Sequence, residues 1–140
     1  PLAAATDVGL GYVPLGEPTS RLSGGEALRL RLAAALGRGG HSPTLYLLDE
    51  PSGGLHPADV ADLTKVLLEL GEAGHGVVCV EHDVRLVSAA DHVVELGPGP
   101  GEAGGRVVYQ GPPAGLLAAP GSPTGAALRT YAERVARGGS

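Results

Sequence analysis

Two short apolar runs with an amphipathic helix pattern between them constrain the fold of this chain most. The runs Thr44–Leu48 and Gly76–Glu81 are apolar up to the carboxylates at their ends, which is typical of strands buried on both faces. Between them, Pro57 opens a helix to about Gly71 whose apolar residues share one side. Strands that alternate with helices predict an α/β fold with a mostly parallel sheet flanked by helices.

The rest of the chain continues this alternation. Ser23 is expected to cap a helix that Gly39-Gly40 ends, and Glu26 stands at the spacing of a capping box. Further elements follow the second strand, and a Gly/Pro-rich excursion separates two of them. The pattern predicts a helix over 83–90, a strand over 92–96, the excursion over 97–105, a strand over 106–110, a helix over 112–118 and a terminal helix over 122–137.

Composition excludes several broad classes of protein. Ten basic residues against 15 acidic ones give a net charge of −5, which argues against a surface devoted to nucleic acid or to a membrane. Glycine and proline number 24 and 12, yet 43% of residues are hydrophobic, so disorder along the whole chain is not expected. No apolar stretch has the length of a membrane span and no leader precedes the first helix, so we expect a cytoplasmic protein.

The single cysteine limits the covalent and metal chemistry of the chain. Cys79 alone excludes an internal disulfide framework and a zinc site built from several cysteines of these 140 residues. It lies within an apolar run, so we interpret it as a buried and inert thiol.

The run Leu22-Ser-Gly-Gly-Glu26 is the strongest candidate for ligand binding. Gly24 and Gly25 let a ligand approach the backbone closely, and the free N–H groups of a helix start favour an anion. The hydroxyl of Ser23 adds a donor, so a terminal phosphate is the natural ligand of Ser23–Glu26. An ordinary capped helix start is the alternative interpretation of the same residues.

Polar residues after the two predicted strands supply the second and third candidates. Asp49 and Glu50 end a buried strand, where open α/β sheets bind ligands; such an Asp can hold Mg²⁺ and such a Glu can polarise a water. His82 follows the next strand, where an imidazole could contact a γ-phosphate. A solvated acidic turn and an ordinary loop histidine are the respective alternatives.

Taken together, these motifs resemble those of an ATP-binding-cassette (ABC) ATPase, a P-loop NTPase. Ser23–Glu26 is similar to the signature motif, Leu45–Asp49 to the Walker B strand and Ser52–His56 to the D-loop. The resemblance implies that Glu50 is the catalytic carboxylate, that His82 is the switch histidine and that Asp49 binds Mg²⁺ through water.

Several longer runs narrow the resemblance to the UvrA family, the damage-recognition subunits of the bacterial excinuclease. The matching runs are Leu22–Ala27, Asp49–His56, Glu81–Asp83 and Ala90–Pro98, and the similarity covers roughly residues 7–118. Two positions depart from the family pattern: Leu28 stands where a Gln is usual, and the D-loop begins Ser52-Gly53 rather than Thr-Thr. Neither departure removes a residue assigned to catalysis, but both suggest a divergent paralogue.

The resemblance also implies what should lie outside these residues. The sequence contains no Gly-x-x-x-x-Gly-Lys-Ser/Thr loop, and its only lysine is Lys65. We therefore expect the C-terminal portion of a longer ATPase, with the ABC segment over 1–118 and a C-terminal helix and frayed tail over 119–140. Such a chain by itself should not hydrolyse ATP, and the family's zinc modules should lie upstream.

The main functional hypothesis is an ATPase segment that couples ATP binding and hydrolysis to DNA damage recognition in nucleotide excision repair. The implied cofactors are ATP and Mg²⁺. The implied partners are a second ABC cassette, both within the full-length chain and in a homodimer, and, through the full-length protein, a UvrB-type protein and duplex DNA, with no membrane. One alternative is a UvrA-like antibiotic-resistance or self-protection protein. Another is a non-catalytic segment that only binds nucleotide or a partner.

Overall fold

The computed structural model of the chain describes residues 10, 11, 13, 14, 16–37, 42–97 and 104–138. The chain divides into two compact units, with the boundary between Glu81 and His82. The sequence-based division after residue 118 stays a prediction. Among the described residues, no helix combines the length and the apolar character that crossing a membrane requires.

The first unit is a strand–helix–strand unit preceded by one more helix. Its elements are α1 (Gly24–Gly37), β1 (Leu45–Asp49), α2 (Pro57–Glu72) and β2 (Gly76–Val80), after one turn of 3₁₀ helix at Thr19–Arg21. The two strands are parallel, with Leu45 opposite Gly76 and Asp49 opposite Val80. Each predicted element is present within one or two residues of its expected bounds, and the predicted parallel pairing is confirmed for these two strands.

The core of the first unit lies along one face of α2. Pro57 occupies the first turn, where a missing N–H costs nothing, and the His56 imidazole accepts a hydrogen bond from the Ala58 N–H at 3.3 Å. The buried residues of α2 recur at helical spacing, and the face that they form packs against α1 and β2. Its members are Val60, Leu63, Val66, Leu67 and Leu70, and α1 contributes Leu32 and Ala33.

The burial of the two parallel strands differs from the expectation that both of their faces are covered. Apart from Asp49 at the end of β1, both strands consist of apolar residues, yet burial alternates along each strand. The exposed residues are Leu45, Leu47, Val78 and Val80, at 52–72% of their full accessibility. Within the part of the chain that the structure describes, helices cover one face only, so the expected burial on both faces is not found there.

The second unit contains a strand pair of the opposite sense. Its elements are α3 (Val84–Ala89), β3 (Val93–Gly97), β4 (Arg106–Gly111), α4 (Pro113–Leu116) and α5 (Pro123–Ala136). β3 and β4 are antiparallel, with an irregular register between Glu95 and Leu96. Only eight residues separate the two strands, whereas parallel neighbours require a crossover of about a dozen residues or more. The short Gly/Pro-rich connection therefore dictates an antiparallel pair, which the expectation of a mostly parallel sheet did not include.

The three helices of the second unit pack around a small core. Val87, Leu116 and Leu128 are buried together, and Val93 and Tyr109 pack against them. α5 approaches α4 so closely that a Cβ on Gly125 would overlap the carbonyl oxygen of Leu116. A glycine is thus required at this crossing by the separation of the backbones.

A buried glutamate ties the start of α5 to the sheet. The Glu95 carboxylate, on β3, accepts hydrogen bonds from the Ser122 hydroxyl at 2.5 Å and from the Thr124 N–H at 2.9 Å. Ser122 is the N-cap of α5, and its hydroxyl also accepts the Gly125 N–H at 2.7 Å. Burial raises the pKa of Glu95, but the hydrogen bonds from Ser122 and Thr124 outweigh it and hold that pKa below its ordinary value.

This arrangement predicts an acid-sensitive contribution to stability. Because the pKa of Glu95 is lower in the folded chain, its charged form stabilises the fold above the ordinary glutamate pKa of about 4.3, and this stabilisation is lost as the pH falls through the folded-state value. In urea denaturation at neutral pH, we expect Glu95→Gln to lower the free energy of unfolding by about 1–3 kcal/mol. The difference from wild type should shrink below about pH 4.3.

Glu133→Gln, an exposed change on α5, is the matched control and should cost at most about 1 kcal/mol at any pH. Equal pH profiles for wild type and Glu95→Gln would contradict the assignment.

Candidate functional site

The first candidate motif forms the N-terminus of α1 through a reciprocal pair of hydrogen bonds. The Glu26 N–H donates to the Ser23 hydroxyl at 3.2 Å, and the Ser23 N–H donates to the Glu26 carboxylate at 2.7 Å. This is the predicted capping box. The amides of Gly24 and Gly25 lie between these two residues, where a helix offers its N–H groups no acceptor within itself.

The two glycines of this motif have different surroundings. A Cβ on Gly24 would meet no atom within 4 Å, so the space over its backbone is open. A Cβ on Gly25 would lie 2.5 Å from Cδ2 of Leu55, a residue of the turn that precedes α2. The backbone at Gly24 is therefore open to a group from outside the described residues, whereas a side chain at position 25 would have to displace the end of the Leu55 side chain.

The second candidate pair lies where β1 ends. Asp49 is the last residue of the strand, and both Asp49 and Glu50 are exposed. Glu50 adopts φ +43°, the left-handed region that non-glycine residues rarely occupy. Its N–H donates to the Val80 carbonyl oxygen and its own carbonyl oxygen accepts the Gly53 N–H, both at 2.9 Å. The carboxylate that the sequence nominates for catalysis is thus carried on strained backbone, as is common at functional sites.

The turn after Glu50 is also anchored to the end of β2. The Ser52 N–H donates to Oε1 of Glu81 at 2.7 Å, and Ser52 is buried. The sequence had singled out Glu81 only as part of the run before His82, because nothing in a linear pattern shows which amide a carboxylate will accept. The parallel register is what brings it there, since Asp49 and Val80 are opposite each other.

A buried ion pair joins the two helices that follow the candidate motifs. Arg29 of α1 is only 3% exposed, and its guanidinium contacts Oδ1 of Asp59 in the first turn of α2 at 2.9 Å. Arg29 is thus a buried charged residue of the contact between α1 and α2. This ion pair, together with the Leu55 side chain that lies against Gly25, holds α1 against α2 and the turn before it.

The third candidate, His82, is exposed and begins the second unit. Its neighbour Asp83 caps α3 by accepting the Arg85 N–H at 2.9 Å, and it also binds the Arg85 guanidinium. Chiefly because of the hydrogen bond from that side chain, and against the effect of burial, the pKa of Asp83 lies below its ordinary value. Asp83 is therefore held in its charged form as a helix cap.

Comparisons with known proteins agree with the motifs on this fold. The chain is 51% identical over 136 residues to UvrABC system protein A of Thermus thermophilus, a match that covers 97% of this chain and 14% of that protein. It is 48% identical over 128 residues to the protein of the same name from Aquifex aeolicus, covering 91% of this chain and 14% of the relative. No protein-family model matches the chain.

Two solved structures resemble the chain. UvrA2 from Deinococcus radiodurans superposes with a TM-score of 0.82 at 50% identity, over 92% of this chain and 16% of that one. The chain belongs to the UvrA family. The second structure, cbiO1 from Clostridium perfringens, part of the ABC transporter complex cbiONQ, has a TM-score of 0.54 at 26% identity, over 83% of this chain and 43% of that one. The predicted fold class, that of the ABC-type P-loop NTPases, is thereby confirmed.

This UvrA-family chain corresponds to a short stretch of its relatives. It spans about 14% of the length of the curated proteins that it matches. Among the residues that the structure describes, no cluster of three or more His, Cys, Asp or Glu side chains could hold a metal ion. Cys79 is half-buried rather than buried as expected, and the pKa of its thiol is raised, first by burial and then by the nearby charge of Glu81.

The ion pair between α1 and α2 yields a stability prediction. Asp59→Asn removes the charge that faces the buried Arg29 guanidinium, so we expect the free energy of unfolding to fall by about 1–3 kcal/mol in urea denaturation. Asp62→Asn, the same change one turn further along α2, is the control. In a double-mutant cycle, Arg29→Met and Asp59→Asn together should cost less than the sum of the single changes. Strict additivity would show that the pair contributes nothing.

Proposed function

We propose that this UvrA-family chain is the signature-to-switch part of an ATPase that couples ATP binding and hydrolysis to DNA damage recognition in nucleotide excision repair. The observation that carries the proposal is the geometry at the end of β1. Two consecutive exposed carboxylates follow an apolar strand, and the second is held at φ +43°. The family resemblance and the names of the relatives support the substrate and the pathway.

Glu50 is proposed as the general base. Its carboxylate takes a proton from a water molecule while the water oxygen attacks the γ-phosphorus of ATP. The bond from that phosphorus to the bridging oxygen breaks, and ADP leaves with the electron pair. The strained backbone is consistent with this role, because the φ angle of Glu50 sets the direction in which its side chain leaves the chain after Asp49, the last residue of β1.

Asp49 is proposed to hold Mg²⁺ through a bound water. A single carboxylate fits this ion, which keeps most of its waters and is completed by substrate phosphates rather than by a cage of protein ligands. When bound, Mg²⁺ would neutralise charge on the phosphates. The exposure of Asp49 at the end of β1 leaves its oxygens accessible to such a hydrated ion.

Ser23–Glu26 is proposed to bind the phosphates of an ATP held mainly by a partner cassette. His82 is proposed to contact the γ-phosphate of a different ATP, the one bound by this chain's own cassette. The open space over Gly24 suits a phosphate that arrives from outside the described chain. The capping box places the Glu26 carboxylate on the Ser23 amide, so the Gly24 and Gly25 amides are the donors left for an anion.

The proposed partners are a second ABC cassette, and through the whole protein a UvrB-type subunit and duplex DNA. The open apolar face of β1 and β2 supports the view that these residues work within a larger domain, since exposed apolar patches usually mark contact sites. The hairpin of the second unit likewise exposes Val94, Leu96 and Val107.

The proposal predicts the effect of Glu50→Gln in the full-length protein. Loss of the base should lower the rate of ATP hydrolysis at the site that Glu50 serves at least about 100-fold, with little change in ATP binding, because an amide cannot accept the proton. Steady-state phosphate release and nucleotide binding measure the two effects. Glu72→Gln, an exposed change at the end of α2, should retain wild-type turnover. Unchanged turnover in Glu50→Gln would favour a segment that only binds nucleotide or a partner.

Survival after ultraviolet irradiation separates repair from self-protection. The wild-type protein should restore survival to a strain that lacks its own UvrA, and Glu50→Gln should not. An active ATPase that fails to restore survival would favour the UvrA-like resistance protein.

Gly24→Ala separates phosphate binding from folding. Because φ at Gly24 is not in the left-handed region and space is open, the alanine should leave thermal stability unchanged or raise it by about 0.4–1 kcal/mol. The added methyl would occupy the proposed approach of the phosphate, so ATP turnover by the full-length protein should fall about tenfold or more. A stable Gly24→Ala protein with normal turnover would contradict the assignment.

A further inference from the structure

We propose that Glu81 is a positioning residue for Glu50, an inference that rests on the proposed function of Glu50 as the base. The Glu81 carboxylate acts on a backbone amide two residues beyond Glu50, not on ATP itself. Through that amide it would set the conformation of the turn 50–53, which carries the base at one end and begins the D-loop-like segment at the other.

The contact between Glu81 and the turn is short and partly buried. Oε1 of Glu81 lies 2.7 Å from the Ser52 nitrogen, and Ser52 is 7% exposed. Without this acceptor, a buried N–H would lose a partner that water cannot readily replace, so the turn would rearrange to satisfy it.

The turn needs such an anchor because Glu50 is strained. A φ of +43° is unfavourable for a residue with a side chain, so surrounding contacts must hold it. One contact lies within the turn, from the Gly53 N–H to the Glu50 carbonyl oxygen. Two further contacts come from Val80, the last residue of β2, and from Glu81, the residue after it: the Val80 carbonyl oxygen accepts the Glu50 N–H, and the Glu81 carboxylate accepts the Ser52 N–H.

Two hydrogen bonds therefore hold the turn at the end of β2: one to a backbone carbonyl oxygen and one to a side-chain carboxylate. Only the side-chain acceptor can be altered by substitution. Position 81 therefore requires a side chain as long as glutamate that ends in an oxygen acceptor, so that this oxygen can reach the Ser52 N–H. Gln keeps that length and an acceptor oxygen, whereas Asp keeps the charge but is one methylene shorter.

The test compares Glu81→Gln, Glu81→Asp and Glu81→Ala in the full-length protein by steady-state ATP hydrolysis. We expect Gln to remain within about threefold of the wild-type kcat, because its oxygen can accept the same N–H. Asp and Ala should lower kcat about 10- to 100-fold with KM for ATP little changed, as for a displaced base. Glu72→Ala, the same truncation at the exposed end of α2, should leave kcat unaltered.

A second measurement asks whether Glu81 acts through Glu50. In the Glu50→Gln background, adding Glu81→Ala should reduce the residual single-turnover rate by less than about twofold, since the residue being positioned is already inactive. An equal fold-loss in both backgrounds would overturn the inference. So would an Asp variant that matches wild type beside an impaired Gln variant, since charge rather than reach would then matter. If Glu81→Ala fails to fold, the comparison of Gln with Asp decides.

Failure of this inference differs from failure of the proposed function. Full turnover in Glu50→Gln alone would remove the proposed base and the inference with it. Loss of turnover in Glu50→Gln, together with wild-type kcat in Glu81→Ala, would leave the base in place and overturn only the positioning role.

Discussion

The hydrogen bonding between the ends of β1 and β2 is the constraint on which the candidate site depends. The parallel ladder runs from Leu45 opposite Gly76 to Asp49 opposite Val80, and the Glu50 N–H extends it by one further bond. That bond fixes the direction in which the chain leaves the sheet. The turn that begins there contains the left-handed Glu50 and the Ser52 N–H that donates to Glu81. Two exposed carboxylates thus stand at the end of the sheet, where α/β folds place their ligands.

Helix packing places the glycine motif within the same unit. The ion pair of Arg29 and Asp59 holds α1 against α2. The Leu55 side chain lies against Gly25, which brings the start of α1 close to the turn before α2. A charge buried without compensation would be costly, so Arg29 also limits how far the two helices can separate. The second unit has a comparable arrangement: the Glu95 carboxylate accepts hydrogen bonds from the Ser122 hydroxyl and the Thr124 N–H at the start of α5. In both units a buried charged group fixes the start of a helix.

Much of the fold could be predicted because its signals are local. The capping box of Ser23 and Glu26, the proline that opens α2 and the apolar face of α2 depend on residues within a turn or two of each other. The exposed strand faces could not be predicted in the same way. A run such as Leu45–Asp49 shows that both faces are apolar, but not which elements of the described chain cover them. Strand alternation gave no pairing sense for β3 and β4 individually, which the structure shows to be antiparallel.

The sequence by itself determined the family, the elements and the identity of the proposed site residues, since those depend on residue types at fixed spacing. Only the tertiary structure decided the partners of the long-range contacts. It placed Glu81 on the Ser52 amide, Arg29 on Asp59 and Glu95 at the start of α5, across 27 to 30 positions of sequence. The physical reason is that a charged side chain can satisfy many donors or acceptors, and strand register and helix packing choose among them. The same holds for the backbone of Glu50, whose strain arises from a turn anchored at both ends.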